Sequence, residues 1–192
     1  MNETQRKWND RWREKTSTTK WQVDPWLQKV LPLLPRGRAL DVACGAGRNA
    51  LFLAEQQFRV MAIDISDEAL GQLRHEAKSR ELSIDAQQVD LEINPVLPRG
   101  PFELVLVLFY LHRQLLPLLR KAVRPGGVIV LRTFSSAGPF AGGPDIPDFV
   151  LRPGELLEVF ADWEILLHEE GFEPSRKGGS VAGIVARRPK YH

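Results

Sequence analysis

The stretch Ala39-Leu40-Asp41-Val42-Ala43-Cys44-Gly45-Ala46-Gly47-Arg48-Asn49 decides the fold. Ala39 to Ala43 reads as a short buried strand, Gly45-Ala46-Gly47 as a turn, and Arg48 to Gln57 as a helix. A strand that empties through glycines into a helix lets the backbone approach a ligand closely and aims helix amides at it. Asp64 closes the next strand, roughly 20 residues beyond the glycines, where a carboxylate accepts hydrogen bonds from both hydroxyls of a ribose. Together these residues point to a nucleoside ligand.

Outward from this turn, strand-like and helix-like segments alternate. Arg59 to Ile63 reads as a strand, Ser66 to Arg80 as a helix, Ile84 to Val89 as a weaker strand, and Phe102 to Leu108 as a fully apolar one. Leu115 to Val123 reads as helical, Pro125-Gly126-Gly127 as a turn, and Val128 to Thr133 as a strand buried on both faces. Repeated β then α predicts a parallel sheet with helices on both faces. Trp163 to Glu169 and Ser180 to Ala186 are two further strands with no helix between them, only a Gly171 to Gly179 connection, so they pair antiparallel. The predicted class is therefore α/β: a Rossmann-like sheet, mostly parallel, ending in an antiparallel β-hairpin.

Upstream, Thr4 to Lys15 is rich in helix formers and sets Trp8 and Trp12 four apart on one face. A Thr16 to Thr19 break follows, then an apolar segment from Pro25 to Leu34 that Pro35 and Gly37 stop. Downstream, Ser135 to Val150 is rich in Gly, Pro, Ser and Asp, and a loop that long is uncommon unless it serves a function. We read it as a candidate substrate lid. Arg152 to Phe160 reads as a helix with Pro153 in its first turn. The expected organisation is one domain of 192 residues: a helical lid over 1–36, a core over 38–134, a substrate loop over 135–152, and a C-terminal helix and hairpin over 153–192.

Bulk properties exclude several classes. With 43% hydrophobic and 26% charged residues the chain is neither disordered nor fibrous, and a formal charge of +2 without a run of like charges argues against a nucleic-acid tail. The single Cys44 rules out an internal disulfide and a thiol-rich zinc site. His75, His112, His168 and His192 show no ligand spacing, so no metal is expected. Neither a signal peptide nor an apolar run of membrane-spanning length is seen, which makes the cytoplasm the default location and a membrane partner unexpected.

Which nucleoside compound is bound is not set by the glycines alone. Gly45 to Ala50 also satisfies a relaxed dinucleotide fingerprint, which keeps an NAD(P)-dependent oxidoreductase open. Three features favour another ligand. Asp41, beside the glycines, would repel a pyrophosphate but suits an ammonium group. Asp90, after the third strand, offers an acceptor to an adenine amino group. The third is the terminal hairpin. Asp41 and Asp64 retain a structural alternative as caps of helices or turns.

The pattern resembles the class I S-adenosylmethionine-dependent methyltransferases. The Trp-containing lead helix, Gly45-Ala46-Gly47-Arg48-Asn49, Leu111-His112-Arg113 and the strand after Pro125-Gly126-Gly127 are similar to the tellurite-resistance methyltransferases and, more distantly, to thiopurine methyltransferase. The resemblance implies S-adenosyl-L-methionine as cofactor and S-adenosyl-L-homocysteine as its product. It implies that Gly45 and Gly47 line the methionine, that Asp64 and Ile65 hold the ribose and flank the adenine, and that Asp90 and Leu91 grip the adenine edge. Asp41, Ala43 and Leu108 complete the cofactor set. Trp8 and Trp12 match tryptophans that cover the cofactor in relatives, with simple helix packing as the alternative. Ala43 departs from the family, which has its first glycine there; strand geometry is expected to tolerate the methyl group.

On the acceptor side, Phe109-Tyr110-Leu111-His112-Arg113 follows the fourth strand, where open α/β sheets place their crevice. His112 would take a proton and Arg113 would hold an oxyanion; the alternatives are a helix cap and a surface ion pair. Cys44 reads as a buried filler. The position used for an Asn/Asp-Pro-Pro-aromatic element by base-methylating relatives is here Leu108-Phe109-Tyr110-Leu111, which disfavours base N-methylation. The expectation is methyl transfer to a small-molecule acceptor: a thiol, a chalcogen oxyanion such as tellurite or selenite, or a compact metabolite. A non-catalytic cofactor-binding or RNA-binding module is the rival of a different class. No specific nucleic acid is expected as partner, and the oligomeric state is not legible.

Overall fold

The computed structural model describes residues 1–14, 21–93, 95–175 and 178–190. The Thr16 to Thr19 break, the last residue of the expected lead helix and His192 lie outside the described residues. The chain forms two compact units, Met1–Pro98 and Arg99–His192.

The first unit opens with α1 (Glu3–Arg13), whose N-cap Asn2 accepts a hydrogen bond from the Gln5 amide. Next comes α2 (Pro25–Val30), capped by Asp24 and followed by a 3-10 turn over Leu31–Leu33. Three strands, β1 (Arg38–Val42), β2 (Arg59–Asp64) and β3 (Ile84–Gln88), are joined by α3 (Arg48–Glu55) and α4 (Asp67–Ser79). They lie in the order β3-β2-β1, and both ladders are parallel, as the alternation predicts. Leu40, Val42, Ala62, Ile63, Leu51 and Leu70 are fully buried, so the apolar faces of these strands and helices make one core. β3, the weakest strand in the sequence, is also the most exposed.

The second unit contains β4 (Phe102–Leu108), a 3-10 turn over Arg113–Leu115, α5 (Leu116–Ala122), β5 (Val123–Phe134), α6 (Glu155–Val159), β6 (Glu164–Pro174) and β7 (Ser180–Arg187). Its strand order is β4-β5-β7-β6, with β4 and β5 parallel and both ladders of β7 antiparallel. The fold is thus mostly parallel and ends in the expected hairpin.

Three local expectations need correction. Pro125-Gly126-Gly127 is not a turn before the strand but a bulge inside β5: Phe102 pairs with Val123 and Leu104 with Val128, so two residues of β4 are matched by five of β5. Pro125 has no amide to donate, and the chain loops out around it until the ladder resumes. Pro153 precedes α6 rather than entering it, because Gly154 takes the left-handed cap at φ 75°. Finally, β6 continues through Gly171 to Pro174 across a register shift between Glu170 and Pro174, shortening the connection read from the sequence.

The segment after β5 is fastened along its length. The Ser136 amide donates to Leu151 O, the Leu151 amide to Phe134 O, and the Phe140 amide to Ser180 Oγ. Further along, the Gly179 amide donates to Ala141 O. Backbones touch directly at two places: a Cβ on Gly138 would lie 2.7 Å from Gly171 Cα, and one on Gly179 would lie 2.5 Å from Gly142 O.

Candidate cofactor site

β1 and β2 end side by side, with Val42 paired to Ile63 and the Cys44 amide donating to Ile63 O. This register sets Asp64 against the glycine turn. Asp64 Oδ2 accepts from the Gly45 amide at 2.7 Å and Oδ1 from the Ser66 amide at 2.9 Å. Asp64 therefore fulfils the turn-capping role weighed as its alternative, and each of its oxygens retains lone-pair capacity for a ligand.

Asp41, at the end of β1, is 2% exposed, and its Oδ2 has no hydrogen-bond partner among the described residues. Burial raises its pKa to about 7; the nearby Asp64 carboxylate adds to the rise, while Arg48 and the Ala50 amide oppose it. An acid held this way awaits a cation. Burial likewise pushes the Cys44 thiol well up, helped by Asp41 and Asp64, so it stays protonated and inert, as expected of a filler.

Ala43 does not have strand geometry. Its φ is 54°, in the left-handed region, which costs an L-residue about 1–2 kcal/mol. The reason given for tolerating the methyl group was wrong: the position holds the turn at the expense of strain, because the strand has already ended at Val42. Phe109, directly after β4, is left-handed too, at φ 58°. Bulky residues rarely adopt that conformation, and such strain clusters at functional positions. Its ring meets Phe134 edge to face at 5.5 Å.

The two glycines give close approach to side chains of the unit itself. A Cβ on Gly45 would lie 2.5 Å from Trp12 Cζ2, and one on Gly47 2.3 Å from Leu73 Cδ1. Gly47, at φ 82°, is also the N-cap of α3. Trp12 therefore covers the turn directly, while the half-exposed Trp8 carries the Arg11 guanidinium 4.9 Å from its ring centre.

The sequence reading missed how α1 is attached. Asn2 Nδ2 donates to Asp90 Oδ2 at 2.6 Å, and Asp90 Oδ1 accepts from the Glu92 and Ile93 amides. Burial by itself raises the Asp90 pKa, but these three hydrogen bonds outweigh it and hold the carboxyl below its ordinary value. Asn9 donates to Asp67 Oδ1 at 2.7 Å and accepts from Ser66 Oγ at 2.7 Å. The one available signal was Asn9's place beside Trp8, at the border of the apolar face. Ile65 is half-buried, its carbonyl accepting from Gln88, and Leu91 is buried. Arg48 and Asn49 of the quoted motif serve the scaffold: Asn49 Oδ1 accepts from the Asp24 amide, and Arg48 lies 3.7 Å from the Asp24 carboxylate.

In the second unit, Leu108 is buried at the end of β4 and His112 heads the 3-10 turn with its carbonyl accepting from Leu115. Arg113 is engaged internally. Its Nε and Nη2 grip Glu155 at 2.7 and 2.9 Å, Nη1 donates to Asp148 O, and Nη2 also donates to Val150 O. The Glu155 hydrogen bond raises the Arg113 pKa, and the reciprocal bond lowers that of Glu155. The structure thus brings Trp12, Asp41, Gly45 and Asp64 together with Asp90 nearby on α1's other contact, and gives Arg113 the ion pair that had been its alternative.

Residues 39–127, just under half the chain, match the family model for a methyltransferase domain. That span begins on β1 and includes the glycine turn, Asp64 and Asp90. Over that span the chain is similar to S-adenosylmethionine-dependent methyltransferases. The chain is similar to the probable S-adenosyl-L-methionine-dependent methyltransferase TehB of Haemophilus influenzae, at 25% identity over 69% of this chain and 48% of that protein. It is also 27% identical to Hemagglutinin 1 of Eikenella corrodens, over 80% of this chain and 51% of that protein. It therefore spans about half the length of these two curated relatives. The crystal structure of Haemophilus influenzae TehB superposes with a TM-score of 0.74 at 18% identity, over 94% of this chain and 67% of that one. A structure described as converting a disulfide bond into a thioacetal group during echinomycin biosynthesis superposes with a TM-score of 0.73 at 21% identity, over 98% and 94%. Among the described residues, no helix is long and apolar enough to cross a membrane, and no cluster of His, Cys, Asp or Glu could hold a metal ion.

Proposed function

We propose that the protein transfers a methyl group from S-adenosyl-L-methionine to a small, soft nucleophile: a thiol, a chalcogen oxyanion such as tellurite or selenite, or a compact metabolite. The observation that carries the donor half is the buried Asp41 Oδ2 with no partner, placed beside a glycine turn and a second carboxylate. A buried, unmatched anion is costly in an empty site and becomes favourable once a cationic amino group meets it. A dinucleotide would bring a pyrophosphate to the same place, where two carboxylates repel it.

In this reading Asp41 takes the ammonium, Gly45, Gly47 and Ala43 line the methionine, and Asp64 takes the ribose hydroxyls. Ile65 and Leu91 flank the adenine, Asp90 accepts from its amino group, and Trp8 and Trp12 exclude water. When bound, the cofactor would supply an electrophilic methyl group on a sulfonium for an in-line displacement. The protein need contribute no covalent nucleophile, since alignment of nucleophile and methyl carbon at about 3–3.5 Å lowers the barrier by several kcal/mol. His112 receives the acceptor's proton. Arg113, held by Glu155, itself donates to the Asp148 and Val150 carbonyls and so shapes the acceptor loop instead of binding an oxyanion.

Support for a soft acceptor comes from the strained Phe109 and its partner Phe134, which place apolar, polarisable surface after β4 and β5. Two measurements test the proposal. Calorimetric titration should show micromolar binding of S-adenosyl-L-homocysteine and none of the nicotinamide dinucleotides; the reverse result overturns the donor half. Incubation with labelled methyl donor and thiols, tellurite, selenite and small metabolites should transfer label to a thiol or chalcogen, and labelling of RNA alone overturns the acceptor half.

A further inference from the structure

The one fully buried residue of α1 is an amide, Asn9, at 1% exposure. A surface helix normally buries an apolar stripe, and an amide in that place is tolerated only when its polar atoms are matched. Here both ends are. Asn9 Nδ2 donates to Asp67 Oδ1, and Oδ1 accepts from Ser66 Oγ. Ser66 is itself buried, and its hydroxyl is fully committed, donating to Asn9 while accepting from the Ala69 amide at the start of α4. The Ser66 amide donates to Asp64 Oδ1, and Asp64 Oδ2 accepts from Gly45, the residue that Trp12 covers. The contacts close a ring from α1 through Ser66, Asp64 and Gly45 back to α1.

We propose that Asn9 is a positioning residue of the donor site: through Ser66 it fixes the orientation of the Asp64 carboxylate toward the ribose. The inference rests on the donor reading given above. A carboxylate held by one amide on each oxygen still has a soft rotation, and the Asn9 to Ser66 bond stiffens one of its two supports. Because Ser66 meets Asn9 through its hydroxyl and Asp64 through its amide, loss of the first bond frees the residue whose amide orients the carboxylate.

The test is calorimetric titration of the full chain with S-adenosyl-L-homocysteine, using N9A, D64N and the double variant, with thermal melts of each. N9A should weaken binding about 5- to 20-fold. In the D64N background, N9A should change it by less than about twofold, because the relay then has no carboxylate to orient; independent sites would instead add. Unchanged binding in N9A, or the same factor in both backgrounds, reduces Asn9 to an anchor of α1 and overturns the proposal. Wild-type affinity in D64N removes Asp64 from the site, a failure of the donor reading that is read separately from that of Asn9. If N9A does not fold, S66A interrupts the relay from its other side and should show the same non-additivity with D64N.

Discussion

The glycine turn of the first unit and the β4 exit of the second both follow a parallel strand, yet they treat charge in opposite ways. Around the turn, two carboxylates lie close enough to oppose each other's ionisation, and one oxygen of Asp41 is left unmatched. After β4, Arg113 is matched fourfold, to the buried Glu155 and to two loop carbonyls. Unspent charge marks a place that waits for a charged ligand, whereas spent charge marks a brace. The turn thus leaves a carboxylate oxygen unmatched among the described residues, whereas the β4 exit spends its cation on holding the loop in shape.

The comparison is broken most directly at Asp64. D64A should weaken S-adenosyl-L-homocysteine by about 2 kcal/mol or more, or roughly 30-fold, through loss of two charge-assisted hydrogen bonds. Unaltered affinity in titration would show that the turn receives nothing. R113A probes the other region. It strands the buried Glu155 and should cost about 1–2 kcal/mol of stability, seen as a lower melting temperature, with donor affinity unchanged. A fall in donor affinity at constant stability would make Arg113 part of the donor site.

Asp41 gives a pH signature. Its folded-state pKa, near 7, stands above the ordinary 3.8, so its contribution to stability is fully present below about pH 4 and is lost as pH rises through about 7. D41N should abolish that decline in melts taken across the window and should weaken S-adenosyl-L-homocysteine. The wild type should release a proton on binding near pH 6, measured by calorimetry in buffers of different ionisation enthalpy. The smallest effect is expected from A43G, which relieves the left-handed strain and should raise stability by about 1 kcal/mol in denaturant unfolding.

The β-α-β order and the placement of Asp41 and Asp64 at strand ends were legible because they are local: hydrophobic runs, glycines and an acid at a strand end lie within a few residues of one another. What escaped was set by distant partners. Asn9 meets Ser66 and Arg113 meets Glu155 across 57 and 42 positions, and nothing in the flanking sequence of either names the other. Ala43 escaped for a different reason. An alanine carries no mark of its backbone angle, and the family resemblance, which puts glycine there, was the only warning. The bulge at Pro125 was seen as punctuation but not as an interruption, since a turn and a bulge draw on the same residues.

The paired glycines, Gly138 against Gly171 and Gly142 against Gly179, have a consequence for how such an enzyme diversifies. Main chain resting on main chain locates the segment after β5 without help from the identity of its side chains. Residues between these contacts are then exchangeable while the contour is conserved, like tiles in a fixed grout. A handful of side-chain exchanges in that span would leave its path unchanged, whereas a methyl group added to Gly138 or Gly179 would meet backbone at 2.7 and 2.5 Å and displace the whole border at once.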